Sequence, residues 1–267
     1  MRLDDVSGFV FDVDGTLVHR AGDEVHVQPG AREALERIRA SGRPFALFTN
    51  GSHAPPATFA SGLRAVGLDV ADDELLTPLR SVQSYLRARG GDEAVLLFAS
   101  EAAREYLVHA GLRIAVDDEL ADVVFVAHTD TVDFEALERA ARAVIAGAPL
   151  LAGSFASAYA GANGPIISRG AMLAAAIAKA SSAEPVIVGK PSQAALETIG
   201  EQLGAPPNEL AVIGDDLGMD IALGRMGGAR TVLVRSGISR LVEPDDIAEP
   251  DRPDAMVDGI ADLLDWL

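Results

Sequence analysis

The sequence predicts an α/β fold: a doubly wound, mainly parallel sheet with a second α/β unit inserted into it. Three observations predict it. Short β-branched and aromatic runs alternate with amphipathic stretches of ten or more residues. Several runs are apolar throughout, as strands covered on both faces require. The alternation also occurs twice, once across the two ends of the chain and once in its middle.

In chain order, the first strand falls at 8–12, where Gly8-Phe9-Val10-Phe11 runs into Asp12. A helix follows at 30–41, opened by Pro29 and Gly30 and closed by Gly42. A strand at 44–48 and a helix at 54–66 continue the pattern. From about 79 to 185 the alternation restarts, with strands near 94–98, 123–127 and 149–152. Its helices fall near 78–89, 101–110, 133–146 and 169–180, and the Ala-rich stretch 171–180 reads as a packed helix. The original pattern then resumes: strand 186–189, helix 192–203, strand 210–214, helix 217–226, strand 231–234. This gives a core domain of residues 1–78 plus 186–267 and an inserted α/β cap domain of 79–185.

Composition narrows the function. A chain of 267 residues buries roughly three quarters of its unfolded surface and needs no staples. It has no cysteine, which excludes disulfides, thiolate metal sites and cysteine nucleophiles. The opening stretch MRLDDVSG is acidic and lacks an apolar centre, and no uncharged apolar run approaches the ~20 residues of a membrane span. A cytoplasmic protein with no membrane partner is expected. The formal net charge of -18 argues against nucleic acid, which needs a basic face. Of 22 basic residues only Lys179 and Lys190 are lysines, so a lysine in this chain calls for a reason.

Ligands of parallel α/β sheets bind beyond the carboxyl ends of the strands. Four expected strand ends carry polar groups. Strand 8–12 ends in Asp12 with Asp14 beyond it, and strand 44–48 runs into Thr49-Asn50-Gly51-Ser52. Strand 186–189 ends in Lys190, and strand 210–214 in Asp215, Asp216 and Asp220. In one parallel sheet all four sets gather on one rim. Clustered carboxylates raise one another's pKa unless a cation sits between them. Oxygen ligands without His or Cys suit a hard cation such as Mg²⁺, with Asp12 and Asp215 the natural pair. A carboxylate can also attack phosphorus. Asp14 then fits the neighbouring acid/base, and Thr49, the amides of the 49–52 turn and Lys190 fit the donors to phosphoryl oxygens.

Taken one at a time, these groups have ordinary readings as well. Asp12 fits a turn residue, Thr49 and Asn50 a helix cap, and Asp215, Asp216 and Asp220 an acidic helix start. A phosphate-binding P-loop is excluded, because Glu184 stands where its first glycine is needed before Gly189-Lys190.

Together, DVDGT, FTNGS, GKPS and GDDLGMD, in this order, resemble the four motifs of the haloacid dehalogenase (HAD) phosphatases. The long insert and the GKPS resemble the class IIA branch, which includes NagD and nitrophenyl and phosphoglycolate phosphatases. The resemblance implies a HAD Rossmann-like core and a Mg²⁺-dependent phosphatase, Mn²⁺ substituting, that hydrolyses a small phosphorylated metabolite through an aspartyl-phosphate. It implies Asp12 as nucleophile and metal ligand, and Asp14 as acid/base with its carbonyl on the metal. Thr49, Asn50, Gly51 and Ser52 would bind the phosphoryl group and its surroundings. Lys190 would neutralise charge, Asp215 would complete the metal ligands, and Asp216 and Asp220 would support them. It also implies a homodimer contact through the cap. A phosphoryl-transfer mutase and a non-catalytic phosphometabolite sensor remain as alternatives on the same scaffold.

His19 and His53 follow the first two motifs and are candidates to face the substrate, against a reading as solvated loop residues. His26, His109 and His128 show no ligand spacing and read as structural. The class IIA cap often carries an Asn and an Asp in a T-N-P-D loop. Here that place reads Gly153-Ser154-Phe155-Ala156, so substrate choice is expected to differ. Arg169 is a candidate second anion contact.

Overall fold

The computed structural model describes residues 2–21, 24–116, 119–159 and 166–267. Two parallel sheets organise it. The first contains β1 (Gly8–Phe11), β4 (Phe45–Phe48), β5 (Leu75–Leu76), β13 (Leu210–Gly214), β14 (Arg230–Val234) and β15 (Ala255–Val257), in the order β15-β14-β13-β1-β4-β5. The second contains β6 (Ala94–Phe98), β7 (Arg113–Ile114), β8 (Val123–Val126), β9 (Leu150–Ala152) and β12 (Val186–Ile187), in the order β12-β9-β8-β6-β7. Two hairpins complete the set: β2 (Val18–Ala21) with β3 (Glu24–Val27), and β10 (Ala158–Tyr159) with β11 (Ile166–Ile167).

The apolar runs become central strands because both their faces are covered. On one face of the first sheet, Phe9, Phe11, Phe45 and Leu47 meet Leu35 and Ile38 of α1 (Ala31–Ala40) and Leu63 of α2 (Pro56–Ala65). On the other, Val10, Ala46 and Phe48 meet Leu196, Ile199 and Leu203 of α7 (Gln193–Leu203) and Leu223 of α8 (Ala222–Gly227). Burying one such Phe or Leu fully contributes about 1.5–3 kcal/mol, so β1 alone anchors much of this core. The second sheet is covered by α5 (Phe134–Ile145) and α6 (Arg169–Ser181) on one face. On the other lie α3 (Pro78–Arg89) and α4 (Glu101–His109). Side-chain caps start five of these helices: Thr77, Ser100, Asp133, Ser168 and Ser192 each accept a bond from a first-turn amide.

The structure corrects one expectation that matters to the site. Residues 186–189 do not form a strand of the first sheet. Val186 and Ile187 pair with Leu151 and Ala152 at the edge of the second. An apolar run of three residues carries no mark of which sheet it joins; pairing with β9 decides it. Lys190 therefore reaches the first sheet's rim from the second. The expected helix 217–226 also opens as a wide π turn, Leu217–Ile221. Both hairpins and the short strands β5, β7 and β15 were not visible in the sequence pattern.

Candidate active site

Two strand ends of the first sheet converge with the segment that follows the edge strand β12 of the second. Asp12 follows β1, and its N–H donates to Ile213 of β13 at 2.9 Å, so the ladder holds its backbone. Asp215 follows β13 and is 3% exposed. Lys190 is 4% exposed, and its Nζ lies 2.6 Å from Asp12 Oδ1 and 2.6 Å from Asp220 Oδ1. Asp12, Asp215 and Asp220 each place a carboxylate oxygen within 4.8 Å of the others.

Asn50 sets the approach of Lys190. Its Oδ1 accepts from the Lys190 N–H at 2.7 Å, and its Nδ2 donates to the Lys190 carbonyl at 2.8 Å. The sequence reading expected Asn50 at the phosphoryl group and its surroundings; its side chain holds the backbone of Lys190. Gly189 is required beside it. A Cβ there would stand 2.2 Å from the Gly153 carbonyl oxygen and 2.5 Å from Asn50 Oδ1.

The π turn presents Asp220. Asp216 Oδ1 accepts from the N–H groups of Gly218 and Met219, while Asp220 Oδ2 accepts from the Asp216 N–H at 3.1 Å. Asp216 thus caps the turn, and Asp220 is the member that touches Lys190. Asp215 is fixed by a loop the sequence reading missed. Its Oδ2 accepts from the Ile238 N–H at 2.6 Å, and Ser236 Oγ donates to the Gly15 carbonyl at 2.6 Å. A Cβ on Gly237 would come within 1.8 Å of that same Asp215 oxygen. Gly237, three residues past the end of β14, was the signal available.

The remaining expected residues surround this centre. Asp14 is half-exposed, and Arg20 of β2 bonds its Oδ1 at 2.6 Å. Thr49 is buried, and its Oγ1 accepts from the Gly51 N–H at 3.1 Å. Ser52 Oγ accepts from the His128 N–H at 3.0 Å, tying the 49–52 turn to the loop after β8. His53 stacks edge-on against His128, with ring centroids 5.9 Å apart. His128, read as structural from the sequence, therefore stands at the junction of the two sheets. His19 lies on the outer hairpin, stacked on His26. Arg169 is paired with Asp130 rather than free.

The electrostatics describe a centre short of positive charge. Burial pushes the Asp12 carboxyl well above the usual range; Lys190 opposes this, while Asp220 and Asp215 add to it. Asp215 is pushed up to about 7 by burial first and then by Asp220, against the Ile238 N–H. Burial and Asp220 also raise Asp216. Burial disfavours the charged form of Lys190, but Asp12 and Asp220 outweigh it and hold the ammonium above its ordinary range. With three carboxylates ionised, one ammonium leaves two negative charges unbalanced. The donors are hard oxygens held by the fold, which suits a divalent cation such as Mg²⁺.

Residues 9–113 match the family model of haloacid dehalogenase-like hydrolases, and residues 187–263 match a second, HAD-hydrolase-like model. Ribonucleotide monophosphatase NagD of Escherichia coli is 31% identical over 263 residues, covering 97% of this chain and 98% of that protein. The chain belongs to the haloacid dehalogenase-like hydrolases. Within them it is a class IIA phosphatase, a phosphoric monoester hydrolase. Dihydroxyacetone phosphatase of Corynebacterium glutamicum is 28% identical, over 96% of this chain and 90% of that one. The p-nitrophenyl phosphatase structure from Archaeoglobus fulgidus superposes with a TM-score of 0.87 at 28% identity, covering 98% of this chain and all of that one. Among the described residues, no helix is long and apolar enough to cross a membrane.

Proposed function

We propose that this HAD phosphatase depends on Mg²⁺ and hydrolyses a small phosphorylated metabolite through an aspartyl-phosphate on Asp12. The observation that carries the reading is the buried Asp12–Lys190–Asp220 bridge beside Asp215, with its charge unbalanced. Asp12 and Asp215, with the Asp14 carbonyl, would hold the cation. The bound ion supplies positive charge to the phosphoryl oxygens and lowers the repulsion between these carboxylates.

The chain's own groups do the rest. Asp12 attacks phosphorus, forming the Oδ–P bond as the bond to the leaving oxygen breaks. Asp14 gives its proton to that oxygen, then takes one from the water that cleaves the acyl-phosphate. Lys190 offsets charge on Asp12 and the phosphoryl oxygens, and Asp220 and Asn50 hold its head and its backbone. Thr49 and the amides of the following turn supply donors. The second sheet and its helices act as a cap that keeps bulk water away and carries leaving-group contacts. A homodimer contact through that cap follows from the class IIA resemblance; light scattering at micromolar concentration tests it.

NagD, dihydroxyacetone phosphatase and sugar-phosphatase AraL of Bacillus subtilis bear names that place their substrates among nucleotides and small sugar phosphates. A phosphorylated sugar, triose or nucleoside is accordingly the substrate class proposed here. The test is nitrophenyl phosphate turnover after chelation and after Mg²⁺ is restored. Turnover that returns with Mg²⁺ supports the reading, and full turnover in chelator contradicts the metal assignment.

A further inference from the structure

A line of polar side chains runs from the proposed acid/base out along the junction of the two sheets. Arg20 pairs with Asp14 at its inner end. His53 follows, feeling the charges of Arg20 and Asp14 from the first sheet's side and of Asp130 from the other. Its ring is held edge-on by Phe59, centroids 4.8 Å apart, and by His128. The His53 carbonyl accepts from Ser100 Oγ at 2.7 Å, and the His128 N–H donates to Ser52. His128 Nε2 lies 3.4 Å from Asp130 Oδ1, and the same carboxylate is paired with Arg169.

The charge arrangement along this line is specific. Each arginine is matched by one carboxylate, Arg20 by Asp14 and Arg169 by Asp130. Burial lowers the pKa of His53, with His128 and Arg20 adding to the effect, so its imidazole is neutral near pH 7. Among the described residues, the wall offers hydrogen-bond donors and acceptors, and both its arginines are already paired with carboxylates. A second anionic group on the substrate would meet arginines already paired and the Asp130 carboxylate, which repels it. A hydroxyl-rich group would find partners of both kinds.

We infer that this junction, formed by His53, His128, Asp130 and Arg169 beside Asp14 and Arg20, selects an uncharged, hydroxyl-bearing leaving group and rejects one carrying a carboxylate. The inference rests on the phosphatase reading and narrows its substrate class to phosphorylated polyols and neutral sugars. Asp130 is the discriminating element, since it keeps Arg169 from binding a carboxylate. It is 70% exposed, so its replacement leaves the core untouched.

The test compares glycerol 3-phosphate with 3-phosphoglycerate, which differ by a hydroxymethyl group against a carboxylate. The wild type is expected to favour glycerol 3-phosphate by about tenfold or more in kcat/KM, a discrimination of the size such a pairing gives. Asp130→Asn releases Arg169 and should move that ratio about tenfold toward 3-phosphoglycerate. The double variant Asp130→Asn/Arg169→Gln should bring it back. A wild type that prefers 3-phosphoglycerate, or a ratio that Asp130→Asn leaves within about threefold, overturns the inference. Nitrophenyl phosphate separates the two levels of failure. Normal turnover of it without the expected preference defeats this inference alone, and no turnover with Mg²⁺ present defeats the phosphatase reading and this inference with it.

Discussion

The two parallel sheets are built alike and end differently. Both are covered by helices on both faces, and the loops past their strand ends meet. After β1, β4 and β13 the first sheet places Asp12, Thr49 and Asp215. After β6, β8 and β9 the second places Ser100, His128 and Gly153, each set against the 50–53 turn or the Gly189-Lys190 step. One rim concentrates buried charge; the other offers hydroxyl, imidazole and backbone. On the proposed reading, the same architecture yields chemistry on one side and contact on the other. What differs is a handful of residues just past the strand ends, while the cores that position them are equally apolar. Lys190 joins the two: it leaves an edge strand of the second sheet and delivers its ammonium to the first.

The sharpest way to break this division is to remove the proposed nucleophile. Asp12→Asn should lower kcat by at least about 10⁴-fold, near 5.5 kcal/mol, while circular dichroism and thermal unfolding report an intact fold. Retained turnover would place the chemistry elsewhere than the first rim. Lys190 comes next. Lys190→Arg should lose about 10²–10³-fold, nearly as much as Lys190→Ala. The guanidinium fork is planar and larger, and the space between Asp12 and Asp220 is set by two contacts of 2.6 Å. Near-normal activity in the Arg variant would reduce Lys190 to general positive charge.

The link between the rims is open to a milder test. Gly189→Ala forces a methyl group toward the Gly153 carbonyl and Asn50. It should cost about tenfold in kcat/KM and lower the unfolding temperature, because the lysine and the loop after β9 must part. The smallest effect concerns pH. The folded-state pKa of Asp215 is raised to about 7, above its unfolded value. In chelator its ionisation therefore opposes folding, with the penalty absent below about pH 4 and complete above pH 7. Asp215→Asn should then be more stable than the wild type at pH 8 without metal, by a few degrees, and the gap should close toward pH 5. Saturating Mg²⁺ should reverse the order at pH 8. Calorimetry of both proteins in chelator and in Mg²⁺ checks this.

Much of the site was legible because its residues sit beside strong local signals. Asp12 and Asp215 end apolar runs, and Lys190 stands out in a chain that otherwise uses arginine. What stayed hidden depends on pairing between distant segments. Val186 and Ile187 do not reveal which sheet they join. Nothing in the sequence shows that the Asn50 amide grips the Lys190 backbone, 140 residues away. The hold of Ile238 on Asp215 is a backbone bond and leaves no side-chain mark in the sequence. His128 has no ligand spacing, since its neighbour His53 comes from the other sheet. Arg20 pairs with Asp14 through a hairpin that is exposed on three of its four first-strand residues, so no buried apolar pattern announced it.

The central claim is that Asp12 becomes covalently phosphorylated. Rapid-quench of the Mg²⁺-loaded protein with phosphate-labelled substrate, followed by peptide mapping, measures this directly. Acid-stable label on the peptide containing Asp12, appearing before inorganic phosphate and absent in Asp12→Asn, is the predicted result. Label on another residue, or full turnover with no labelled protein at any time point, would contradict it.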